Sequence, residues 1–85
     1  MIIKYSKRFK KTYNRLPQKI KEQVKQRTSL WTTDPQNPQL HVHRLKADMH
    51  EYKTFNVSGD LRIKYHEEAD GVFIFDDIGT HSQLY

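Results

Sequence analysis

The apolar residues of this chain change their spacing once, and the change separates a helical part from a sheet-forming part. Up to Trp31 they recur at helical intervals, whereas from residue 52 onward they alternate with polar residues. Between these parts, TTDPQNPQ at residues 32–39 contains two prolines, an Asp and an Asn, and therefore predicts a loop. Because 85 residues suit one modest core, we expect residues 1–85 to form a single domain.

The helical part begins with a short strand and continues as two helices. The apolar residues of IIKY predict a strand from Ile2 to Tyr5, and Ser6 is a suitable N-cap for a helix through Leu16. Pro17 ends that helix and fits the first turn of the next one. Three apolar side chains mark one face of the second helix: Ile20, Val24 and Trp31. We therefore expect a helical hairpin with one apolar side and a basic surface elsewhere.

The sheet-forming part predicts three strands, at residues 52–57, 61–66 and 72–78, separated by turns that contain glycine. The last strand is the most apolar and is expected to lie inside the sheet. The predicted fold is α+β in the order β-α-α-β-β-β, an antiparallel meander with the helical hairpin on one face. Arg62 and Lys64 are expected to project from the other face, which would have no helical cover.

The basic residues are concentrated in the helical part. The formal net charge is +5, and ten of the 15 Lys and Arg residues lie between Lys4 and Arg27, where Glu22 is the only acid. This imbalance indicates an anionic partner, either a nucleic acid or an acidic protein segment. A solvated helix surface is the alternative interpretation.

Several classes of protein are disfavoured by what the sequence lacks. It has no cysteine, hence no disulfide and no zinc–cysteine site, which favours a cytoplasmic location. No apolar run approaches the roughly 20 residues of a membrane span, and the N-terminus does not resemble a secretory signal. The five histidines form no HExxH motif, so neither a metal site nor another cofactor is expected.

Polar side chains suited to acid–base chemistry are predicted to converge on the uncovered face of the sheet. His43 precedes the meander, Asp60 and Arg62 flank the start of one strand, and His81 and Tyr85 follow the last strand. Histidines transfer protons near neutral pH, and arginine binds phosphate. Two imidazoles and an arginine could therefore cleave RNA without a metal, one group removing the 2′-OH proton and another protonating the departing 5′-oxygen. The closing strand is expected to place His81 beside Arg62.

Each of these residues also has a structural interpretation. His81 could be a polar strand terminus, and His43 could cap the passage from loop to strand. Asp60 could form local hydrogen bonds in a turn. Tyr85 could stack on a nucleobase or cover the edge of the core. Lys46 and Lys64 are candidate phosphate contacts, whereas three histidines are expected to be ordinary surface residues: His41, His50 and His66.

Two segments, HRLKADMHEYKTFNVSGDLRIKY at residues 43–65 and FDDIGTHSQLY at residues 75–85, resemble the RelE superfamily of toxin–antitoxin ribonucleases. They are most similar to its YafQ branch. The resemblance implies a RelE-like fold and a toxin that cleaves mRNA in the decoding site of the ribosome. It also implies neutralisation by a cognate antitoxin protein in a hetero-oligomeric complex, by a mode that the sequence leaves open.

The resemblance assigns catalytic positions to five residues: His43, Asp60, Arg62, His81 and Tyr85. It leaves open which histidine is the acid and which the base. Lys53 corresponds to a basic residue on a strand of RelE proper and is therefore a candidate RNA contact. Two positions differ from the YafQ pattern. Asn56 replaces a histidine, which removes one candidate proton carrier, and Ala47 replaces a glycine, a change expected to be harmless in a bend.

Two non-catalytic functions remain as alternatives. The same superfamily includes ParE-like toxins, which act on DNA gyrase and lack the ribonuclease residues. A basic nucleic-acid-binding protein is the second alternative. The joint presence of His43, Asp60, Arg62 and His81 favours the ribonuclease, whereas Asn56 keeps the alternatives open.

Overall fold

The computed structural model describes all residues, 1–85, and contains five strands and three α-helices. The strands are β1 (Ile2–Tyr5), β2 (His43–Arg44), β3 (Lys53–Ser58), β4 (Leu61–Ala69) and β5 (Val72–Gly79). The helices are α1 (Lys7–Asn14), α2 (Gln18–Thr33) and α3 (His81–Leu84). Short 3₁₀ turns occur at Pro38–Leu40 and Ala47–Met49. The predicted α+β class with a helical hairpin is therefore confirmed, and the structure adds β2 and α3.

The first helix begins where the sequence predicts. The Oγ atom of Ser6 accepts a hydrogen bond from the backbone N–H of Phe9 at 3.0 Å, which satisfies one free donor of the first turn. The same hydroxyl donates to the carbonyl of Asp76 at 2.6 Å and so connects the start of α1 to β5. Pro17 immediately precedes α2. None of the three helices is long and apolar enough to cross a membrane.

The strands form one sheet in the order β1-β5-β4-β3-β2. β3, β4 and β5 form the expected antiparallel meander, but β1 pairs in parallel with β5, from Ile2 opposite Val72 to Tyr5 opposite Phe75. The sheet is therefore mixed, and the expectation of a wholly antiparallel sheet is wrong for β1. Two helices and three strands separate β1 from β5 in the chain, so no tight turn forces them to run in opposite directions.

The core lies between the helical hairpin and one face of the sheet. Trp31 of α2 is 1% exposed, and its ring contacts the rings of Phe55, Tyr65, Phe73 and Phe75 at centroid distances of 4.9–5.7 Å. Such offset and edge-to-face arrangements add to the free energy gained by burying the aromatic surface. These contacts hold α2 against one face of the meander and leave the opposite face available.

We call that opposite face, which carries Arg62, Lys64 and His66 of β4, the open face. Ile63 and Tyr65 alternate with these residues and are 0% and 5% exposed in the core. The sequence predicted that this face would have no helical cover. In the structure it is partly covered, because α3 packs across one end of β4 and β5. Arg62 and Lys64 nevertheless project from it as expected.

The last strand ends close to its predicted position, and the chain then turns into α3, a helix that the sequence did not predict. β5 ends at Gly79, and Thr80 forms a capping box in which its backbone N–H donates to Oε1 of Gln83 at 2.8 Å. A Cβ atom on Gly79 would lie 2.8 Å from that same oxygen and 3.2 Å from Cβ of Gln83, so a larger residue here would displace the Gln83 side chain from the capping box. His81 is therefore the first residue of a helix.

Candidate functional site

A cleft of about 480 Å³ opens where α3, β4 and the segment around β2 meet. Eight residues line it: His43, Arg44, Leu45, Lys46, Met49, Arg62, His81 and Tyr85. Five of them were singled out from the sequence: His43, Lys46, Arg62, His81 and Tyr85. The fold thus brings together side chains that lie far apart in the chain.

Arg62 lies at the centre of the polar contacts in the cleft. Its Nη1 atom is 3.4 Å from Nδ1 of His81 and 3.3 Å from the hydroxyl oxygen of Tyr85. Because an arginine N–H can only donate, the contact requires Nδ1 of His81 to accept, which places the proton of the neutral ring on Nε2. The Arg62 side chain is 24% exposed, so its charge is partly withdrawn from water yet reachable from the cleft.

Tyr85 is fixed at both ends of its side chain. Its hydroxyl lies 3.1 Å from Oγ1 of Thr54, a fully buried residue of β3, and also accepts the bond from Arg62. Its ring contacts the His81 ring at a centroid distance of 3.9 Å and an angle of 44°. Tyr85 therefore covers Thr54 and supports His81, while its 46% exposed surface remains accessible to a ligand.

Asp60 lies beside the cleft rather than in its lining. Its Oδ1 atom is 3.9 Å from Nη2 of Arg62, and its side chain is 59% exposed. Asn56, which faces Arg62 across the strand pair, donates from Nδ2 to the carbonyl of Gly59 at 2.9 Å. Asn56 thus stabilises the turn that carries Asp60, and its amide supplies no titratable group.

The lining around β2 contains three residues that were not predicted from the sequence: Arg44, Leu45 and Met49. His43 pairs with Thr54 and so shares the open face, where its side chain is exposed. Arg44 donates from Nη1 to the carbonyl of His50 at 2.9 Å, which ties β2 to the following turn. Leu45, which is buried, and Met49 add apolar surface. The HRLK run was the available signal, but two residues are too few to establish a strand by alternation.

The three candidate RNA-binding lysines lie in different places. Lys46 lines the cleft, and Lys64 lies further along the open face, with Nζ 5.1 Å from the ring centroid of Tyr52. Lys53 alternates with Thr54 and pairs with Tyr65, which places it on the helix-covered face. The structure therefore does not bring Lys53 together with the other predicted site residues.

Ala47, at the start of the turn after Lys46, has left-handed backbone with φ of 59°. This conformation brings the Cβ of an L-residue close to its own backbone, and glycine avoids that cost. The expectation that alanine is harmless at this position is therefore wrong, because the turn bordering the cleft holds a strained residue.

The comparisons with known proteins agree with this architecture. The family model of YafQ, bacterial toxin of type II toxin–antitoxin system, matches residues 1–85. YafQ from E. coli strain BL21(DE3) is 25% identical with a TM-score of 0.76, covering 98% of this chain and 96% of that chain. YafQ in the E. coli DinJ–YafQ toxin–antitoxin complex is 26% identical with a TM-score of 0.75, covering 98% and 94%.

A more distant structure shares the fold. The YoeB/ParE toxin from Agrobacterium tumefaciens is 16% identical with a TM-score of 0.79, covering 95% of this chain and 99% of that chain. No curated protein matches the chain.

Proposed function

Because this chain belongs to the YafQ family of bacterial toxins of type II toxin–antitoxin systems, we propose that it is a metal-independent endoribonuclease that cleaves mRNA on the ribosome. The observation that carries the proposal is the position of Arg62, in contact with both His81 and Tyr85 in a cleft that His43 also lines. A guanidinium beside an imidazole combines a phosphate-binding group with a proton carrier.

The proposed reaction is an internal transfer at one phosphate of the RNA. The 2′-oxygen attacks the adjacent phosphorus and loses its proton to a general base, while the bond from phosphorus to the 5′-oxygen breaks. A general acid protonates that oxygen, which gives a 2′,3′-cyclic phosphate and a 5′-OH. His43 and His81 are the acid–base pair, in either order. Arg62 stabilises the charge that develops on the phosphate oxygens.

The remaining predicted residues have supporting positions in this scheme. Asp60, 3.9 Å from Arg62, orients the guanidinium, and Lys46 attracts the RNA backbone at the rim of the cleft. Tyr85 holds Arg62 and offers its exposed ring to a base. Lys64 extends the positive surface beyond the cleft.

Dependence on the ribosome is supported by the distribution of charge. Ten of the 15 basic residues lie between Lys4 and Arg27, the segment that contains α1 and the first part of α2, on the face opposite the cleft. These helices would bind ribosomal RNA while the open face receives the message. Such binding would be strongly dependent on salt, because it releases counterions from the phosphates.

The partner that would neutralise this toxin is a cognate antitoxin. E. coli YafQ has been solved in complex with DinJ, and the relationship supports an equivalent hetero-oligomeric complex for this chain in the cytoplasm. A surface with net charge +5 favours an acidic partner.

A second candidate is a toxin that binds its target without cutting RNA, for instance one directed at DNA gyrase. Asn56 favours it, since the amide at this position cannot carry a proton and is engaged with Gly59. Such a protein would give gyrase-linked DNA breaks, or RNA binding without products.

The deciding experiment incubates the antitoxin-free protein with programmed ribosomes and end-labelled mRNA under single-turnover conditions. We expect discrete cuts with a cyclic or 3′-phosphate and a 5′-OH. A matched mRNA with a 2′-deoxy nucleotide at the cut position should resist, because the attacking hydroxyl is absent. Cutting of the deoxy message, products with a 3′-OH, or no products from a folded protein would contradict the proposal.

A further inference from the structure

A second group of polar side chains lies on the open face, outside the cleft. His66 of β4 pairs with Ile74 of β5, and its side chain reaches Asp76 further along β5, with Nδ1 of His66 2.7 Å from Oδ2 of Asp76. Tyr52 precedes β3, and its ring meets the His66 ring edge-on at a centroid distance of 5.2 Å. Lys64 places its Nζ atom 5.1 Å from the Tyr52 ring centroid. We call these four residues the Tyr52 cluster.

The contact with Asp76 holds the imidazole ring of His66 in one orientation. The two side chains are only 26% and 20% exposed, so the short contact is better protected from water than a surface ion pair. A carboxylate on Nδ1 fixes the tautomer and the ring position and leaves Nε2 free for a ligand. His66, expected from the sequence to be an ordinary surface residue, is thus a positioned hydrogen-bonding group.

Tyr52 supplies an aromatic surface with an uncharged hydroxyl. Desolvation by burial, followed by the carboxylates of Asp76 and Glu51, raises the pKa of Tyr52 above its usual value of 10.0. The ring contacts both a cation, Lys64, and an imidazole, His66. Aromatic rings with adjacent cations bind single-stranded nucleic acid by stacking on the bases while the cation contacts the phosphate.

The Tyr52 cluster is continuous with the cleft. Arg62, Lys64 and His66 are alternate residues of β4, so their side chains leave the open face at intervals of roughly 6.6 Å. Lys64 pairs with Thr54, the residue whose hydroxyl contacts Tyr85 in the cleft. A strand of RNA bound at Arg62 would therefore meet Lys64 and Tyr52 next.

We propose that Tyr52, Lys64 and His66 form a nucleotide-binding subsite for the residue of the RNA strand adjacent to the cleaved phosphate. The base stacks on Tyr52, Lys64 contacts the neighbouring phosphate, and Nε2 of His66 bonds the base edge or the ribose. Asp76 is a positioning residue that acts through His66. The assignment rests on the proposed function, because it takes the cleft as the point where the same strand is cut.

The test compares Tyr52→Leu with Tyr52→Phe in the ribosome assay, using the concentration of programmed ribosomes at half-maximal rate as the measure of binding. Tyr5→Leu is the matched control, since Tyr5 is 44% exposed and packs against Phe9 of α1, on the helix-covered side of the sheet. We expect Tyr52→Leu to raise the half-maximal concentration about tenfold, the loss typical of one stacked base. Tyr52→Phe and Tyr5→Leu should remain within about twofold, because stacking needs the ring and not the hydroxyl.

A second measurement uses the protein without ribosomes. A short RNA with a 2′-deoxy nucleotide at the cut position is titrated into labelled protein, and NMR shifts are followed at Tyr52, His66 and Lys64. We expect shifts at these residues, and loss of affinity in His66→Ala. If Tyr52→Leu does not fold, His66→Ala and Lys64→Gln provide the same comparison.

The outcomes separate this inference from the proposed function. Cleavage by the wild type with unchanged half-maximal concentration in Tyr52→Leu would overturn the subsite alone. No cleavage, but RNA-induced shifts that are lost in the variants, would overturn the proposed function and support the subsite. No shifts and no cleavage would overturn both. Weaker antitoxin binding by Tyr52→Leu with unchanged RNA binding would assign the surface to the antitoxin instead.

Discussion

Arg62 and Tyr85 are joined by a hydrogen bond in which Nη1 of the arginine donates to the phenolic oxygen at 3.3 Å. Because the Thr54 hydroxyl is within 3.1 Å of the same oxygen, the tyrosine connects a buried strand residue to the guanidinium. The orientation of the proposed phosphate-binding group therefore depends on a side chain from a different element. Tyr85 therefore has a positioning role, to orient Arg62, that does not require it to contact RNA.

The variant Tyr85→Phe tests this positioning role directly. The variant keeps the ring against His81 but loses both hydroxyl contacts, so we expect single-turnover cleavage to fall about tenfold, equivalent to ~1.4 kcal/mol. Thr54→Val should produce a smaller loss. In the double variant the two losses should not add, since Thr54 acts through Tyr85. Additive losses would show that Thr54 affects cleavage by another route.

His81→Ala should retain the fold and lose most cleavage. The side chain is exposed at the start of α3, so its removal leaves no buried cavity, whereas loss of a general acid or base typically costs on the order of 100-fold or more in rate. Single-turnover cleavage, with the melting temperature measured in parallel, provides the comparison. His50→Ala is the control, as His50 is exposed and outside the cleft lining. An unchanged rate in His81→Ala would remove this residue from the mechanism.

Ala47→Gly should stabilise the protein. The left-handed backbone at φ of 59° costs an alanine roughly 1–2 kcal/mol, and glycine avoids this cost. Glycine also makes the unfolded chain more flexible, which offsets part of the gain in stability. We expect the free energy of unfolding in urea to rise by about 0.5–1 kcal/mol. Ala69→Gly, in a strand without positive φ, is the matched control and should be destabilising. Equal effects at both positions would argue against strain at Ala47.

Asn56→His should increase cleavage. It restores a titratable group opposite Arg62, and a positioned acid or base contributes substantially to rate, so we expect a gain of about tenfold. The change also removes the bond to Gly59, at a cost of ~1 kcal/mol in stability. Asn56→Ala controls for that loss. The rate profile of the histidine variant should show an added ionisation near pH 6.5, and its absence would count against a proton-transfer part at this position.

Alkaline pH should unfold the protein partly through Tyr65. Desolvation raises the pKa of Tyr65 above 10.0, although the Trp31 side chain and Arg44 oppose the shift. Above pH 10 the unfolded chain loses this proton first, so the free energy of unfolding falls until the pH passes the folded-state pKa. Urea unfolding at pH 8 to 11 should show a smaller fall in Tyr65→Phe than in the wild type. Parallel pH curves would exclude Tyr65 as the cause.

The sequence predicted that His81 lies beside Arg62, but it did not predict the helical backbone at His81. Gly79, Thr80 and His81 indicated a group delivered beside Arg62, and the contact at 3.4 Å agrees, but through a helix instead of a strand. Four residues are too few for helical periodicity to be visible. The pairing of Thr80 with Gln83 was the signal that could have identified α3, because it forms a capping box.

Other features could not be predicted because they depend on contacts between distant segments. Alternation placed Arg62 and Lys64 on the open face, since burial of Ile63 and Tyr65 fixes the opposite side. No comparable local pattern determines the direction of β1 beside β5. The Tyr52 cluster also depends on the register of three chain segments, and only the paired structure brings His66 to Asp76.

The parallel pairing of β1 with β5 has a consequence for synthesis of the protein. As the chain emerges from a ribosome, α1 and α2 can form from local contacts, whereas β1 has no partner until Val72–Gly79 has been made. Non-local pairing of this kind delays closure of the sheet and leaves Ile2 and Ile3 without their neighbours in the meantime. The open face and its cleft also require β4, β5 and α3, which are synthesised after α1 and α2. A partly synthesised chain therefore has the basic helices before it has the cleft.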